Sequence, residues 1–153
     1  MKTWILIIDD DEQLVDVLSV VLESEGYLTR SCSTRRRALE LVAQHEFALV
    51  LLDLRLADDS GLGILPLLRE AAPNTPVFII TAHGDVDSAV EAFGRGAAGY
   101  VRKPFQDGDL KAQIAQAIET YRLKRELLDP ATPALEAAHE RVRAILRTRD
   151  PAM

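Results

Sequence analysis

Five short apolar runs recur along the chain, at Trp4 to Ile8, Tyr27 to Ser31, Phe47 to Leu52, Val77 to Ile80 and Gly99 to Val101, and stretches with helical spacing separate them. Each run has strand length, so each predicts a strand. After the first, Leu14, Val17, Leu18, Val21 and Leu22 repeat at i, i+3, i+4, i+7 and i+8, one apolar stripe that closes at Gly26. Thr34 is placed to cap a second helix with Ala38, Leu41 and Val42 inward. Asp85 is placed to cap a fourth, carrying Val86, Ala89, Val90 and Phe93 and ending around Gly94 and Gly96. Asp107 or Asp109 opens the fifth, whose inner face is Leu110, Ile114, Ala117, Ile118 and Tyr121. The third helix, 61–71, contains Pro66, which lacks an amide hydrogen and crowds the carbonyl four residues earlier, so its first turn is expected to be irregular. It remains a helix in this reading because Leu62, Leu65 and Leu68, with Ile64 and Leu67, otherwise have no periodic burial.

Strands alternating with helices in this way predict an α/β fold: a doubly wound, five-stranded parallel sheet, because each parallel crossover must traverse the sheet and is right-handed. The runs ALVLLD and PVFIIT are almost continuously apolar, as strands covered on both faces are. Functional groups in such folds gather at the carboxyl ends of the strands, beside the point where strand order reverses.

Composition narrows the class. The 153 residues are 48% apolar and 27% charged, a balance suited to one domain with a helical extension. One cysteine, Cys32, cannot form an intramolecular disulfide, no Cys/His spacing suggests zinc, and a cytoplasmic location is expected. No apolar run reaches the ~18 residues of a membrane span, and the first is too short for a signal peptide. The net charge of −6 speaks against direct nucleic-acid binding. Arg35, Arg36 and Arg37, the one tight basic run, read as a solvated helix face.

The chemistry lies at the strand ends. The first strand runs into Asp9, Asp10 and Asp11, the third into Asp53, the fourth into Thr81 and the fifth into Lys103, followed by Pro104. Alone, each has a plain role: an acidic helix start, a turn residue, a cap, a surface lysine. Together they bring carboxylates to one sheet edge, where their repulsion calls for a hard divalent cation such as Mg²⁺. A metal beside a carboxylate nucleophile, with an ammonium and a hydroxyl at hand, meets the needs of phosphoryl transfer. Asp53 is the candidate nucleophile, with Lys103 and Thr81 for the phosphoryl oxygens.

The segments ILIIDDDEQL, LVLLDLRLADDSGL and VFIITAHGDVDSAVEAFGRGAAGYVRKPF, and the spacings between them, resemble the receiver domains of bacterial two-component response regulators of the chemotaxis-regulator and nitrogen-regulator type. The resemblance spans about residues 3–125. It implies a flavodoxin-like sheet of order 2-1-3-4-5, with a receiver at 1–125; the remaining 126–153 are expected to be a linker and a short amphipathic helix. It makes Asp53 the phospho-acceptor from a sensor histidine kinase. Mg²⁺ (or Mn²⁺) would be held by Asp9, Asp10, Asp53 and the backbone carbonyl of Arg55, with Asp11 as the alternate in the aspartate run. Thr81 and Tyr100 resemble the switch pair and Lys103 the family's lysine, and a cis bond before Pro104 is implied. The surface reporting the switch is 85–121, for a homodimer or a downstream partner. Control of transcription is implied, through an output domain absent from this sequence or through a partner; the alternative is a stand-alone receiver in a phosphorelay or acting on a non-transcriptional partner.

After Asp53 the family usually shows methionine and proline, where this chain has Leu56, Ala57, Asp58, Asp59 and Ser60. Arg55 and His83 flank the phosphoryl position and are expected to tune phosphoryl lifetime. Two rivals fit less well. A haloacid-dehalogenase-type phosphatase needs a second aspartate where Arg55 stands, so turnover of external substrates is not expected, and a flavodoxin-like cofactor binder needs a hydroxyl- or glycine-rich loop where DDDEQ stands. Pro130 and Pro133 interrupt the extension of the fifth helix. Leu135, Ala138, Val142 and Ile145 then predict a short amphipathic helix, which is either a dimer or partner contact or a linker stub that folds back or frays.

Overall fold

The structure, a computed structural model, describes residues 2–56, 60–81, 86–103, 107–127 and 140–146. Strands β1 (Trp4–Ile8), β2 (Leu28–Cys32), β3 (Leu49–Asp53), β4 (Val77–Thr81) and β5 (Gly99–Arg102) alternate with helices α1 (Glu12–Ser24), α2 (Arg35–Gln44), α3 (Gly61–Ala71), α4 (Val86–Gly94) and α5 (Asp107–Leu127). All four pairings are parallel, in the order β2-β1-β3-β4-β5. The order reverses at β1, which pairs with β2 on one side and β3 on the other, and this opens a crevice at their carboxyl ends.

Strand alternation splits the core in two. Leu6, Ile8, Val50 and Leu52 pack toward α2, α3 and Ala92 of α4, whereas Ile5, Ile7, Leu49 and Leu51 pack toward α1 and α5. Every residue of β3 and β4 is buried, as their continuous apolarity requires. Thr34 caps α2, accepting from the Arg37 amide at 3.2 Å.

Two helix faces differ from expectation. On α1 the buried residues are Leu18 and Leu22, and Val17 is 56% exposed; among the described side chains of α4 they are Ala89 and Ala92, while Val90 and Phe93 are exposed. Both helices carry more apolar residues than their sheet-facing arc can cover, so periodicity alone does not say which ones lie beneath.

The first turn of α3 is regular despite Pro66. Ser60 caps it by accepting from the Leu62 amide at 3.2 Å, and the proline ring lies on the exposed side. Pro66 cannot donate to the Leu62 carbonyl, which instead accepts from Arg95 Nη1 at 3.0 Å.

Helix α5 runs six residues past Tyr121, where its inward stripe ends. The Tyr121 hydroxyl donates to the Glu46 carboxylate, which also pairs with Arg125. Residues 140–146 are helical, and Val142 and Ile145 are buried in the cluster on the α2/α3 side. Here the amphipathic segment folds back. Asp85, Pro104, Pro130, Pro133, Leu135 and Ala138 lie outside the described residues.

Candidate functional site

The sheet's carboxyl edge gathers four buried or half-buried polar side chains. Asp9 follows β1 directly and continues its ladder, donating its amide to the Cys32 carbonyl at 3.0 Å; Asp53 and Thr81 end β3 and β4. Lys103 follows β5, and its amide donates to the Thr81 carbonyl at 2.9 Å. Asp9, Asp53 and Thr81 are among the few buried polar residues within the described part of the chain.

Asp9 and Asp53 are oriented in the same way. Each carboxylate accepts from the amide two residues on: Asp9 Oδ1 from Asp11 at 3.0 Å, and Asp53 Oδ1 from Arg55 at 3.1 Å. The other oxygens meet one cation, since Lys103 Nζ stands 3.8 Å from Asp9 Oδ2 and 3.8 Å from Asp53 Oδ2. Those separations are ion-pair distances beyond hydrogen bonding. Asp9 Oδ2 is buried and has no hydrogen-bond donor among the described residues. Burial pushes the Asp9 carboxyl from the ordinary 3.8 up to about 6; the Asp53 carboxylate adds to the rise, and the Asp11 amide and Lys103 ammonium oppose it.

The three aspartates after β1 have three positions. Asp9 is buried, Asp10 is exposed, and Asp11 caps α1 by accepting from the Leu14 amide at 3.2 Å. Carboxylate oxygens of Asp9, Asp10 and Asp53 lie within 4.8 Å of one another, a group that does not include Asp11. This donor set fits a hard divalent cation: all-oxygen, anionic in excess of the single lysine, and with one buried oxygen lacking a donor. An open cleft lined by Asp10, Glu12, Asp16, Ser31 and Ser33 adjoins Asp9.

Other expected residues stand further out. Arg55 is exposed, and its backbone forms an isolated antiparallel bridge with Ser60. Tyr100 is 42% exposed and meets Phe93 edge to face at 5.9 Å. His83 lies outside the described residues. Gly61, not singled out from the sequence, is pressed against the site: a Cβ there would lie 2.3 Å from the Asp53 carbonyl oxygen. A serine-glycine pair opening an apolar run was the available signal.

Comparison with known proteins agrees in one direction. Residues 5–115 match the family model of the response regulator receiver domain. An NtrX-like response regulator of Rickettsia bellii is 35% identical over 127 residues, covering 82% of this chain and 27% of the relative. The alginate biosynthesis transcriptional regulatory protein AlgB of Pseudomonas aeruginosa is 36% identical over 152 residues, covering 97% of this chain and 32% of the relative. This chain thus spans about a third or less of these curated relatives. Among solved structures, the beryllofluoride-activated NtrC4 receiver domain dimer aligns with a TM-score of 0.72 at 34% identity, covering 77% of this chain and 98% of that one.

Proposed function

Because the chain belongs to the response regulator receiver domains of two-component signalling, we propose that Asp53 is its phosphoryl acceptor and that a sensor histidine kinase is the donor. The observation that carries this reading is the Lys103 ammonium shared at 3.8 Å between Asp9 and Asp53 beside the three-carboxylate cluster.

A carboxylate oxygen of Asp53 attacks the donor's phosphorus; the O–P bond forms as the P–N bond to the donor imidazole breaks, and the imidazole takes up a proton. Asp9, Asp10, Asp53 and the Arg55 carbonyl would hold Mg²⁺ or Mn²⁺. Bound there, the ion neutralises charge on the phosphoryl oxygens. Lys103 gives up its balanced position for a phosphoryl oxygen, and the Thr81 hydroxyl donates to another. Tyr100, exposed in this structure, turns inward behind Thr81. Arg55 and His83 govern access of the water that later hydrolyses the acyl phosphate. The chain acts on itself and turns over no external substrate.

The output face is 85–121, where Val90, Phe93 and Tyr100 are exposed apolar residues suited to a homodimer or a downstream partner. The receiver occupies 1–125, and 126–153 is a linker whose amphipathic helix packs back. The protein acts in the cytoplasm; no described helix is long and apolar enough to cross a membrane. AlgB is by name a transcriptional regulator, which favours transcription as the output here, through further domains or a partner. Incubation with a small phosphodonor and Mg²⁺ tests the reading: intact mass should rise by one phosphoryl group in the wild type and not in Asp53→Asn. An equal rise in both would overturn it.

A further inference from the structure

We propose that Arg95 and the Leu62 carbonyl form a latch, created by Pro66, through which the first turn of α3 holds α4 in its resting position and conveys the state of Asp53 to it. The chemical part of this inference rests on Asp53 being the phosphoryl acceptor; the latch itself does not.

Inside a helix, the carbonyl of Leu62 would accept from the amide at position 66, and proline has none to give. Arg95, 33 positions later and just past the end of α4, supplies the donor at 3.0 Å. Its other terminal nitrogen pairs with Glu91 one turn back on α4, at 2.9 Å, which fixes the orientation of the guanidinium. A planar fork bound on both sides is held in direction as well as in distance. The bond therefore ties the end of α4 to the start of α3.

That start is fixed against the site. Gly61 meets the Asp53 carbonyl so closely that no side chain fits between them, and its amide donates to the Leu54 carbonyl at 3.0 Å. One turn of helix thus touches Asp53 on one side and Arg95 on the other. In sequence, helix α4 lies between β4, which ends at Thr81, and β5, which Lys103 follows directly. When those two side chains are drawn to a phosphoryl group, β4 and β5 pull α4 while Gly61 keeps the first turn of α3 in place. The Arg95 bond is a directional contact between α3 and α4 that must then give.

Amide hydrogen exchange of the intact chain reads the latch directly. In the unphosphorylated protein, Arg95→Met should speed exchange in α4 by about fivefold, the loss expected for one solvent-exposed hydrogen bond, and leave α1 and α5 unchanged. Glu91→Gln removes only the aiming pair and should give a smaller rise. Pro66→Ala returns an amide donor to the Leu62 carbonyl, so adding Arg95→Met to it should have less than half the effect it has on the wild type. Equal effects in both backgrounds, or unchanged α4 exchange in Arg95→Met, would overturn the latch. Phosphodonor and Mg²⁺ then test the coupling. Phosphorylated wild type should exchange in α4 as fast as unphosphorylated Arg95→Met, and retained protection in a protein whose mass shows full phosphorylation would overturn that half. A protein that shows the Arg95 effect but takes no phosphoryl group at Asp53 contradicts the acceptor assignment and not the latch.

Discussion

Gly61 lies against the backbone of Asp53 with no room for a methyl group: a Cβ would sit 2.3 Å from the carbonyl oxygen and 2.8 Å from the Cα of Leu54. The clash is with backbone, which cannot swing aside. Gly61→Ala should therefore cost about 2–4 kcal/mol of stability, read from the urea midpoint at unchanged slope, and should weaken Mg²⁺ binding by displacing Asp53. A variant as stable as the wild type would mean that α3 is not seated as described.

Asp9 gives the metal-free protein a pH dependence of definite sign. Its folded value of about 6 lies above the ordinary 3.8, so its contribution is fully present below about 4 and is lost as the pH rises through 6. At pH 7.5 without metal, Asp9→Asn should stabilise the fold by on the order of 1–3 kcal/mol, shrinking toward zero at pH 4. Saturating Mg²⁺ should reverse the order at pH 7.5. Thermal melts at the two pH values check this, and a difference that does not change with pH contradicts it.

Under the proposed metal site, Lys103 would compete with the ion for the carboxylates of Asp9 and Asp53. Its half-buried ammonium, 3.8 Å from both Asp9 and Asp53, offsets part of their repulsion. Lys103→Met should bind Mg²⁺ about fivefold more tightly, corresponding to roughly 1 kcal/mol for a partly screened pair, although it removes the ammonium proposed to meet a phosphoryl oxygen. Titration calorimetry measures the affinity; a weaker complex would place the lysine's role elsewhere.

The C-terminal segment belongs energetically to the core. Ile145 is 1% exposed, whereas Leu127 at the end of α5 is 87% exposed. Ile145→Asp should cost about 3 kcal/mol or more, and Leu127→Asp less than about 0.5 kcal/mol. Equal denaturation midpoints for both variants would show that 140–146 adds nothing to the fold.

Much of this was legible in the chain. Strand β1 is found at its expected limits, Thr34 caps α2, and Leu110, Ile114, Ala117 and Ile118 form the buried face of α5, because these features depend on neighbours in sequence. What depended on distant partners was not. The Leu62 carbonyl, left without an amide donor by Pro66, is met by Arg95, which no local pattern couples to Pro66. The division of labour among Asp9, Asp10 and Asp11 needs the end of the β1 ladder, set by the Cys32 carbonyl on β2. Outward Val17, Val90 and Phe93 have the same cause: apolar spacing marks a helix, and the sheet beneath decides which residues it hides.

The central claim is that the carboxylate of Asp53, set beside Asp9, Asp10 and Lys103, becomes an acyl phosphate. Borohydride reduces an acyl phosphate to an alcohol, so treating the phosphodonor-reacted protein and sequencing its peptides by mass spectrometry locates the bond. Homoserine at position 53, formed only with phosphodonor and Mg²⁺, is the predicted result. Homoserine at position 9 or 10, or none in a protein that carries phosphate, would contradict it.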